Sequence, residues 1–298
     1  MEISSAKEII NRYFKDAYNI YEINRGVMNF KFHFSSNCRD YILRCYPKGR
    51  EHLAELEFKY LSLFISKDIK APVVKYFSSE YPGYIIYEKI KGLCLSEVFN
   101  NLTLSSQVKL CDEIIENYIK ISCIKTSGCG VMSNYDSFIY NNWKDFLLHE
   151  IEKSLLYLND IKSEFNTAIL RIYLEQFISK YLIDKKFLVW SDFHPDNIIV
   201  SNEGKLAGFI DFEGLIGGDP LLGLGYLQAK EFNSDFFKQI YLSYNISACK
   251  EIIDFYSIVR YLRLVVYEKF NLPNGSLRTP IKDFLPYSYS LIKNICHG

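Results

Sequence analysis

The sequence lacks several features that would assign it to a special class of protein. Its eight cysteines include no Cys-x-x-Cys pair, the spacing found in many zinc and redox sites. No apolar run approaches the roughly 20 residues needed to cross a bilayer, and the charged N-terminus has no apolar segment typical of a secretory signal. Basic and acidic residues are equal in number, 35 of each, so the overall charge does not attract nucleic acid or anionic membranes. We therefore predict a cytoplasmic protein with reduced cysteines and with no nucleic-acid or membrane partner.

The composition is that of an ordinary globular protein, with 49% hydrophobic and 23% charged residues among 298. In the first ninety residues, apolar periodicity and turn residues predict two helices and five strands. The helices are expected over 4–18 and 51–65, and the strands over 19–24, 28–35, 40–46, 73–77 and 84–87. This part of the chain is predicted to be a small α+β domain with an antiparallel sheet.

Beyond Gly92 the pattern becomes mostly helical. Helices are expected over 104–124, 142–158 and 163–185 and again within 220–296, interrupted only by one short β-rich segment at 187–211. We predict a hinge at 88–92 that divides an N-terminal domain, 1–88, from a larger C-terminal domain, 89–298.

The β-rich segment contains polar residues suited to phosphate and metal chemistry. Asp192 follows a predicted strand, Asn197 begins the next strand, and Asp211 ends the strand after it. Phosphoryl transfer from a nucleotide needs metal-bound phosphates and a carboxylate that orients the attacking hydroxyl. Carboxylate and amide oxygens are ligands that Mg²⁺ prefers. An antiparallel hairpin between Asn197 and Asp211 is expected to bring these groups together.

This part of the chain contains three strings in order: Trp190-Ser191-Asp192-Phe193-His194-Pro195-Asp196-Asn197-Ile198-Ile199-Val200, then Gly208-Phe209-Ile210-Asp211-Phe212-Glu213, then Gly217-Gly218-Asp219-Pro220. Together they resemble the catalytic core of the aminoglycoside phosphotransferase and choline kinase-like family. The resemblance implies a two-lobed protein kinase-like fold of α+β class, with a small antiparallel-sheet lobe and a larger helical lobe. It also implies ATP or GTP as phosphate donor. Asp192 would be the catalytic base, Asn197 and Asp211 the magnesium ligands, and Asp219 a structural residue.

The same resemblance extends to the N-terminal domain. It implies that Asn29 lies in the turn that covers the phosphates, and that Arg44 contacts the α- and β-phosphates while Glu57 pairs with it. Backbone groups of the hinge at Glu88 and Ile90 would bind the base of the nucleotide.

The sequence departs from the family pattern at three places, one of which is the absence of the acidic residue often found three or four positions after Gly-Asp-Pro. Trp190 stands where most relatives have a His that supports the metal-binding Asp, and Ser191 replaces the usual Gly. A nucleotide-binding pseudokinase is therefore an alternative. Because the base and both metal ligands are present, an active enzyme is the favoured hypothesis.

The acceptor is predicted less directly. Residues 212–298 contain eight acidic and nine basic side chains, so bulk charge does not favour a polycation. Glu213, Asp235 and Glu268 are nevertheless candidates to contact a cationic acceptor, because a pocket needs only a few placed groups. The leading hypothesis is transfer to a hydroxyl of an aminoglycoside or related antibiotic. The alternative is a metabolite kinase for choline, ethanolamine, a sugar or an amino-acid alcohol.

Overall fold

The computed structural model describes residues 2–24, 28–134, 136–266 and 280–297. These residues form two compact units. The first contains the described residues of 1–93 and 198–213, and the second those of 94–197, 214–270 and 276–298. Both units are therefore discontinuous along the chain, whereas the predicted division at residue 88 follows the chain and stays a prediction.

The first unit is built on a five-stranded antiparallel sheet in the order β1-β2-β3-β5-β4. Its elements are α1 (Ile3–Tyr13), β1 (Tyr18–Glu22), β2 (Phe30–Ser36), β3 (Arg39–Cys45), α2 (His52–Ser66), β4 (Val74–Ser78) and β5 (Tyr84–Glu88). Alternate residues of a strand point to opposite faces of the sheet. Phe32, Phe34 and Leu43 therefore share one face, where they form a buried cluster with Ile9 and Ile10 of α1. Lys31 and Arg44 lie on the opposite face.

A hairpin from much later in the chain also belongs to the first unit. Strands β10 (Ile198–Val200) and β11 (Leu206–Phe209) pair antiparallel, with Ile198 opposite Phe209. The short strand β6 (Leu93–Cys94) lies where the chain passes from the first unit to the second. The predicted antiparallel return of the chain toward Asp211 is confirmed.

The second unit is mostly helical. Its helices are α3 (Leu95–Val98), α4 (Leu104–Ser122), α5 (Trp143–Asp160), α6 (Thr167–Tyr181), α7 (Leu221–Glu231), α8 (Asp235–Ser243), α9 (Lys250–Val265), α10 (Ile281–Phe284) and α11 (Pro286–His297). Polar caps fix several helix starts, as where Asn142 accepts from the Asp145 amide and Asn166 from the Ile169 amide. One large apolar cluster, which includes Phe146, Phe177 and Phe255, joins α5, α6, α7, α9 and α11.

The second unit also contains a four-stranded sheet in the order β8-β7-β12-β9. Its strands are β7 (Cys129–Asn134), β8 (Ser137–Tyr140), β9 (Phe187–Trp190) and β12 (Leu215–Gly218). The expectation of a single β-rich interruption is therefore wrong, because β7 and β8 form a second hairpin. The segment at 129–134 has no clean alternation of polar and apolar residues, and its pairing with the distant strand β12 decides its conformation.

Most predicted elements are confirmed to within a few residues. The mixed α+β class, with an antiparallel sheet early in the chain and helices later, is also confirmed. None of the helices described at 2–24, 28–134, 136–266 and 280–297 is long and apolar enough to span a bilayer.

Candidate active site

Asp192 lies on a short loop that follows β9. The loop is anchored where Ser191 donates twice to the carbonyl of Gly214, from its amide at 3.1 Å and from its hydroxyl at 2.6 Å. The Oδ2 atom of Asp192 accepts a hydrogen bond from Nδ2 of Asn197 at 3.0 Å. The Asp192 side chain keeps 37% of its surface exposed, so it is oriented by the loop and still reaches solvent.

Asn197 is buried at the end of this loop. Besides the bond to the Asp192 carboxylate, its Nδ2 atom donates to the Asp192 backbone carbonyl at 3.0 Å. Both contacts use the amide nitrogen, which leaves the amide oxygen, the atom with metal-ligand character, directed away from Asp192. The structure therefore brings two of the predicted site residues together.

His194 adds a third group to the loop. Its Nε2 atom lies 3.4 Å from Oδ2 of Asp192, and its Nδ1 atom lies 3.4 Å from Oδ2 of Asp196. Burial disfavours the charged imidazole, but hydrogen bonding to the two carboxylates outweighs it and raises the pKa of His194. The contact with His194 also holds the pKa of Asp196 well below its usual range. Nζ of Lys230 lies 3.2 Å from Oδ2 of Asp196.

Arg260, on α9, is a neighbour of Asp192 that the sequence analysis missed. Its Nη2 atom lies 3.6 Å from Oδ1 of Asp192, the oxygen that does not contact Asn197. The guanidinium lies over the ring of Tyr226, 4.7 Å from its centroid. Arg260 is 68 positions from Asp192 along the chain, and no local pattern connects the two residues.

Asp211 follows β11 in the first unit with a backbone φ of +64°, a conformation that few residues other than glycine adopt. Its carboxylate contacts Nη2 of Arg44 at 2.5 Å and Nζ of Lys31 at 2.9 Å. Burial would raise the pKa of Asp211, but Arg44 and Lys31 outweigh it and hold the pKa well below its usual range. Asp211 is therefore a charged carboxylate between two cations of the sheet.

Arg44 forms a buried ion pair with Glu57 of α2. Its Nη1 atom lies 3.1 Å from both carboxylate oxygens of Glu57, and the Tyr46 hydroxyl donates to the same carboxylate. Burial opposes the charge of Arg44, but Asp211 and Glu57 outweigh it and raise the pKa of the guanidinium. The strand cation and the helix acid singled out in the sequence are thus direct partners.

Glu213 lies among the basic residues of the first unit. Its carboxylate contacts Arg44 at 3.0 Å and also accepts from Arg50 and from the buried Asn29 side chain. Asn29 directly precedes β2, but residues 25–27 of the predicted turn lie outside the described residues. Glu213 and Asn29 therefore meet within the unit that contains Arg44. Lys31 and Arg50 are further members of this cluster that the sequence analysis missed.

The predicted hinge begins at the end of β5. The Glu88 side chain pairs with Arg39 at 3.3 Å and with Lys75 at 3.4 Å, and the Glu88 amide donates to the carbonyl of Val73. Ile90 is half-buried, and its side chain closely approaches Gly208 of β11.

The remaining predicted residues lie apart from these clusters or outside the described chain. Asp235 begins α8, where it pairs with Lys238 and is largely exposed. Glu268 lies outside the described residues. Asp219 is buried, where it accepts hydrogen bonds from Lys185 and Tyr256 at 3.1 Å each and from the Leu221 amide. These bonds agree with a structural role for Asp219.

Trp190, where the resemblance leads to the expectation of a His, is fully buried at the end of β9. Its ring packs on Phe193 with 5.3 Å between ring centroids, and Phe193 in turn stacks on Tyr118. The aromatic contacts show what this residue does here: it anchors the start of the Asp192 loop by packing.

Comparisons with known proteins identify the fold and the family of the chain. Solved structures of aminoglycoside phosphotransferases share the fold. A thermostable mutant of APH(4)-Ia in ternary complex with AMP-PNP and hygromycin B is 17% identical, with 98% of each chain covered and a TM-score of 0.72. The streptomycin-ATP-APH(2")-IIa ternary complex is 16% identical, with 98% of this chain and 96% of that chain covered and a TM-score of 0.67. The ADP-bound APH(2'')-Ib is 16% identical, with 97% of each chain covered and a TM-score of 0.70.

These matches establish a protein kinase-like fold. A search of curated protein sequences finds no match. The model of the phosphotransferase enzyme family matches residues 20–252, which is most of the chain. The protein belongs to this family and is a phosphotransferase.

Proposed function

We propose that the protein transfers the γ-phosphate of ATP or GTP to a hydroxyl of a small molecule, with an aminoglycoside or related antibiotic as the first candidate. The observation that carries the proposal is the anchored and half-exposed carboxylate of Asp192. Asn197 and His194 contact one of its oxygens, so the carboxylate is held in place for an incoming hydroxyl.

In this proposal Asp192 orients the acceptor hydroxyl and accepts its proton during transfer. The phosphates are bound by the basic face of the first unit, where Arg44 is held by Glu57 and lies opposite Lys31 in the β2–β3 ladder. The proposed role of the Asn29 turn is to cover the phosphates. The backbone at Glu88 and Ile90 would bind the nucleotide base.

Magnesium fits the proposed ligands by their chemistry. Asp211 offers a charged carboxylate and Asn197 an amide oxygen that its own hydrogen bonds leave available, both of which suit a hard cation. Magnesium commonly takes one or two protein carboxylates and completes its shell with phosphates and water. When bound, the ion would neutralise charge on the β- and γ-phosphates. Lys31 and Arg44 hold the Asp211 side chain ready for this role.

Two observations bear on the acceptor. Fold relatives crystallised with hygromycin B and streptomycin support an aminoglycoside. The cations Arg260 and Lys230 beside the Asp192 loop favour a less cationic molecule, such as a sugar or another polyol. We keep a metabolite kinase as the second candidate for this reason.

The test is a phosphate-transfer assay of the purified full chain with magnesium and either ATP or GTP. The acceptors are hygromycin B, streptomycin, gentamicin, choline, D-glucose and myo-inositol. Asp192→Asn should lower transfer by roughly 10²- to 10⁴-fold while nucleotide affinity is retained, because it removes a base and leaves the shape of the side chain. Transfer that survives in Asp192→Asn would contradict the assignment of the base.

A further inference from the structure

We propose that Arg260 binds an oxygen of the acceptor next to the hydroxyl that is phosphorylated, so that the acceptor presents two neighbouring oxygens rather than a hydroxyl beside an ammonium group. This inference rests on the proposed function of Asp192. It specifies which chemical groups of the acceptor the site recognises.

The first step of the argument concerns the two oxygens of Asp192. Oδ2 is engaged by Asn197 at 3.0 Å and approached by His194 at 3.4 Å. Oδ1 lies 3.6 Å from Nη2 of Arg260, which is beyond ordinary hydrogen-bond length. The carboxylate and the guanidinium are therefore neighbours that attract one another without closing a direct hydrogen bond.

The second step concerns what fits this spacing. Vicinal oxygens of a diol are separated by about the length of one hydrogen bond, and each group would lie about 2.8 Å from its protein partner. One oxygen can donate its proton to Oδ1 of Asp192 while the next accepts from Arg260. An ammonium in the second position would face the guanidinium, and like charges repel.

The third step concerns the contacts that hold the Arg260 side chain in place. Its guanidinium packs on the buried ring of Tyr226, and the Tyr226 hydroxyl accepts from Nη1 of Arg263 at 3.0 Å. Arg263 is itself paired with Glu150 at 2.7 Å. The Arg260 side chain is 24% exposed, so its guanidinium can reach a ligand next to Asp192. Because the ring of Tyr226 holds the guanidinium in one orientation, Arg260 is a preorganised hydrogen-bond donor.

The transfer step then balances as follows. The O–H bond of the acceptor breaks and its proton goes to Oδ1 of Asp192, while the oxygen forms a bond to the γ-phosphorus. The bond from that phosphorus to the β,γ-bridging oxygen breaks, and its electron pair leaves with the nucleoside diphosphate. Arg260 holds the neighbouring oxygen throughout and exchanges no proton.

The experiment compares Arg260→Gln and Arg260→Lys with the matched control Lys250→Gln on the same helix, where Lys250 pairs with Asp254 and is 48% exposed. With an accepted polyol or aminoglycoside, Arg260→Gln should lower kcat/KM about 10- to 100-fold, the loss expected for a hydrogen bond to a charged group. Arg260→Lys should recover part of the loss. Lys250→Gln should change kcat/KM by less than about threefold, and nucleotide affinity should stay within about twofold in all three variants.

Water serves as the acceptor that lacks a second oxygen. Asp192-dependent hydrolysis of the nucleotide should therefore be nearly unchanged in Arg260→Gln. If transfer and hydrolysis fall by the same factor, Arg260 only positions Asp192 and the inference is overturned.

The position of the phosphate in the product gives an independent readout by NMR. We expect the phosphorylated carbon to have a neighbouring carbon that carries oxygen, and we expect choline to be a poor acceptor. Efficient phosphorylation of choline, or of a hydroxyl with only amine-bearing neighbours, would overturn the inference while leaving the proposed function intact. Failure of all six acceptors would instead remove the proposed function, and this inference with it.

Discussion

At the scale of single residues, Arg44 shows how a buried charge is compensated in the first unit. It pairs with Glu57, Asp211 and Glu213, and its side chain is 2% exposed. A charge in such surroundings is tolerated only because several carboxylates compensate for its lost hydration. The partner on α2 was predictable from the family pattern, whereas the contact of Glu213 with Arg44 follows from the hairpin that brings residues 198–213 to this unit.

Removing one of these carboxylates should therefore be costly. We expect Glu57→Gln to lower the free energy of unfolding by about 2–3 kcal/mol, below the full cost of breaking a buried pair because Asp211 and Glu213 still compensate Arg44. The matched control is Glu55→Gln on the same helix, whose pair with Lys59 is largely exposed and should contribute only about 0.3 kcal/mol. Urea unfolding measures both variants, and equal effects would show that the Arg44 pair contributes no more than a surface pair.

The position of Lys31 beside Arg44 could have been predicted from a local pattern in the sequence. The β2–β3 hairpin turns through Asn37 and Cys38, both with positive φ, as in a two-residue type I′ turn. Ser36 is then opposite Arg39, and the same register places Lys31 opposite Arg44. The register of a tight hairpin would have indicated a pair of cations on one face. Arg260 offered no such signal, because only the packing of α9 in the second unit brings it to Asp192.

At the scale of elements, strand β12 lies at a tightly packed place in the second unit. It pairs with β9 on one side and with β7 on the other, and Trp143 packs directly over Gly218. A Cβ atom at Gly218 would lie 2.2 Å from the indole ring, and the residue has a φ of +153°. The strand that carries the Gly-Gly-Asp-Pro motif is thus closed to any side chain at this position.

We expect Gly218→Ala to destabilise the protein by about 3 kcal/mol or more, because overpacking adds to the backbone cost of alanine at positive φ. Gly49→Ala is the matched control, since Gly49 has a φ of +88° and open space around its would-be Cβ atom. It should cost only about 1 kcal/mol. Thermal unfolding compares the two variants, and an equal loss in both would contradict the role given to Trp143.

The β7–β8 hairpin marks the limit of prediction at this scale. Amphipathic helices such as α4 and α5 were predictable because their apolar periodicity is local. Strand β7 contains glycine and serine and owes its conformation to β12, which lies more than eighty positions later in the chain. Local patterns do not contain that information.

At the scale of the whole molecule, the kinase-like fold could be predicted because the strings that resemble the family's catalytic core give the order of the Asp192 loop, the hairpin and the proposed metal ligands. The same strings did not show that the hairpin packs with the N-terminal sheet. The shared unit brings Asp211 and Arg44 into direct contact.

Nucleotide binding should consequently stabilise the whole protein. We expect the nucleotide that serves as phosphate donor, with magnesium, to add about 2.7 kcal/mol to the free energy of unfolding at one hundred times its dissociation constant. Adenosine and guanosine are the controls, because they lack the phosphates that Arg44 and Lys31 are proposed to bind. Thermal shift measured with ATP and GTP identifies the donor, and a nucleoside that stabilises as strongly as its triphosphate would argue against phosphate binding at this face.

The discontinuous first unit has a practical consequence for protein engineering. An exchange between this chain and a homologue at a single crossover near residue 93 would separate the N-terminal sheet from the β10–β11 hairpin that belongs to the same unit. Recombinants should remain folded more often when 1–93 and 198–213 are inherited from the same parent. The two stretches should therefore be exchanged together.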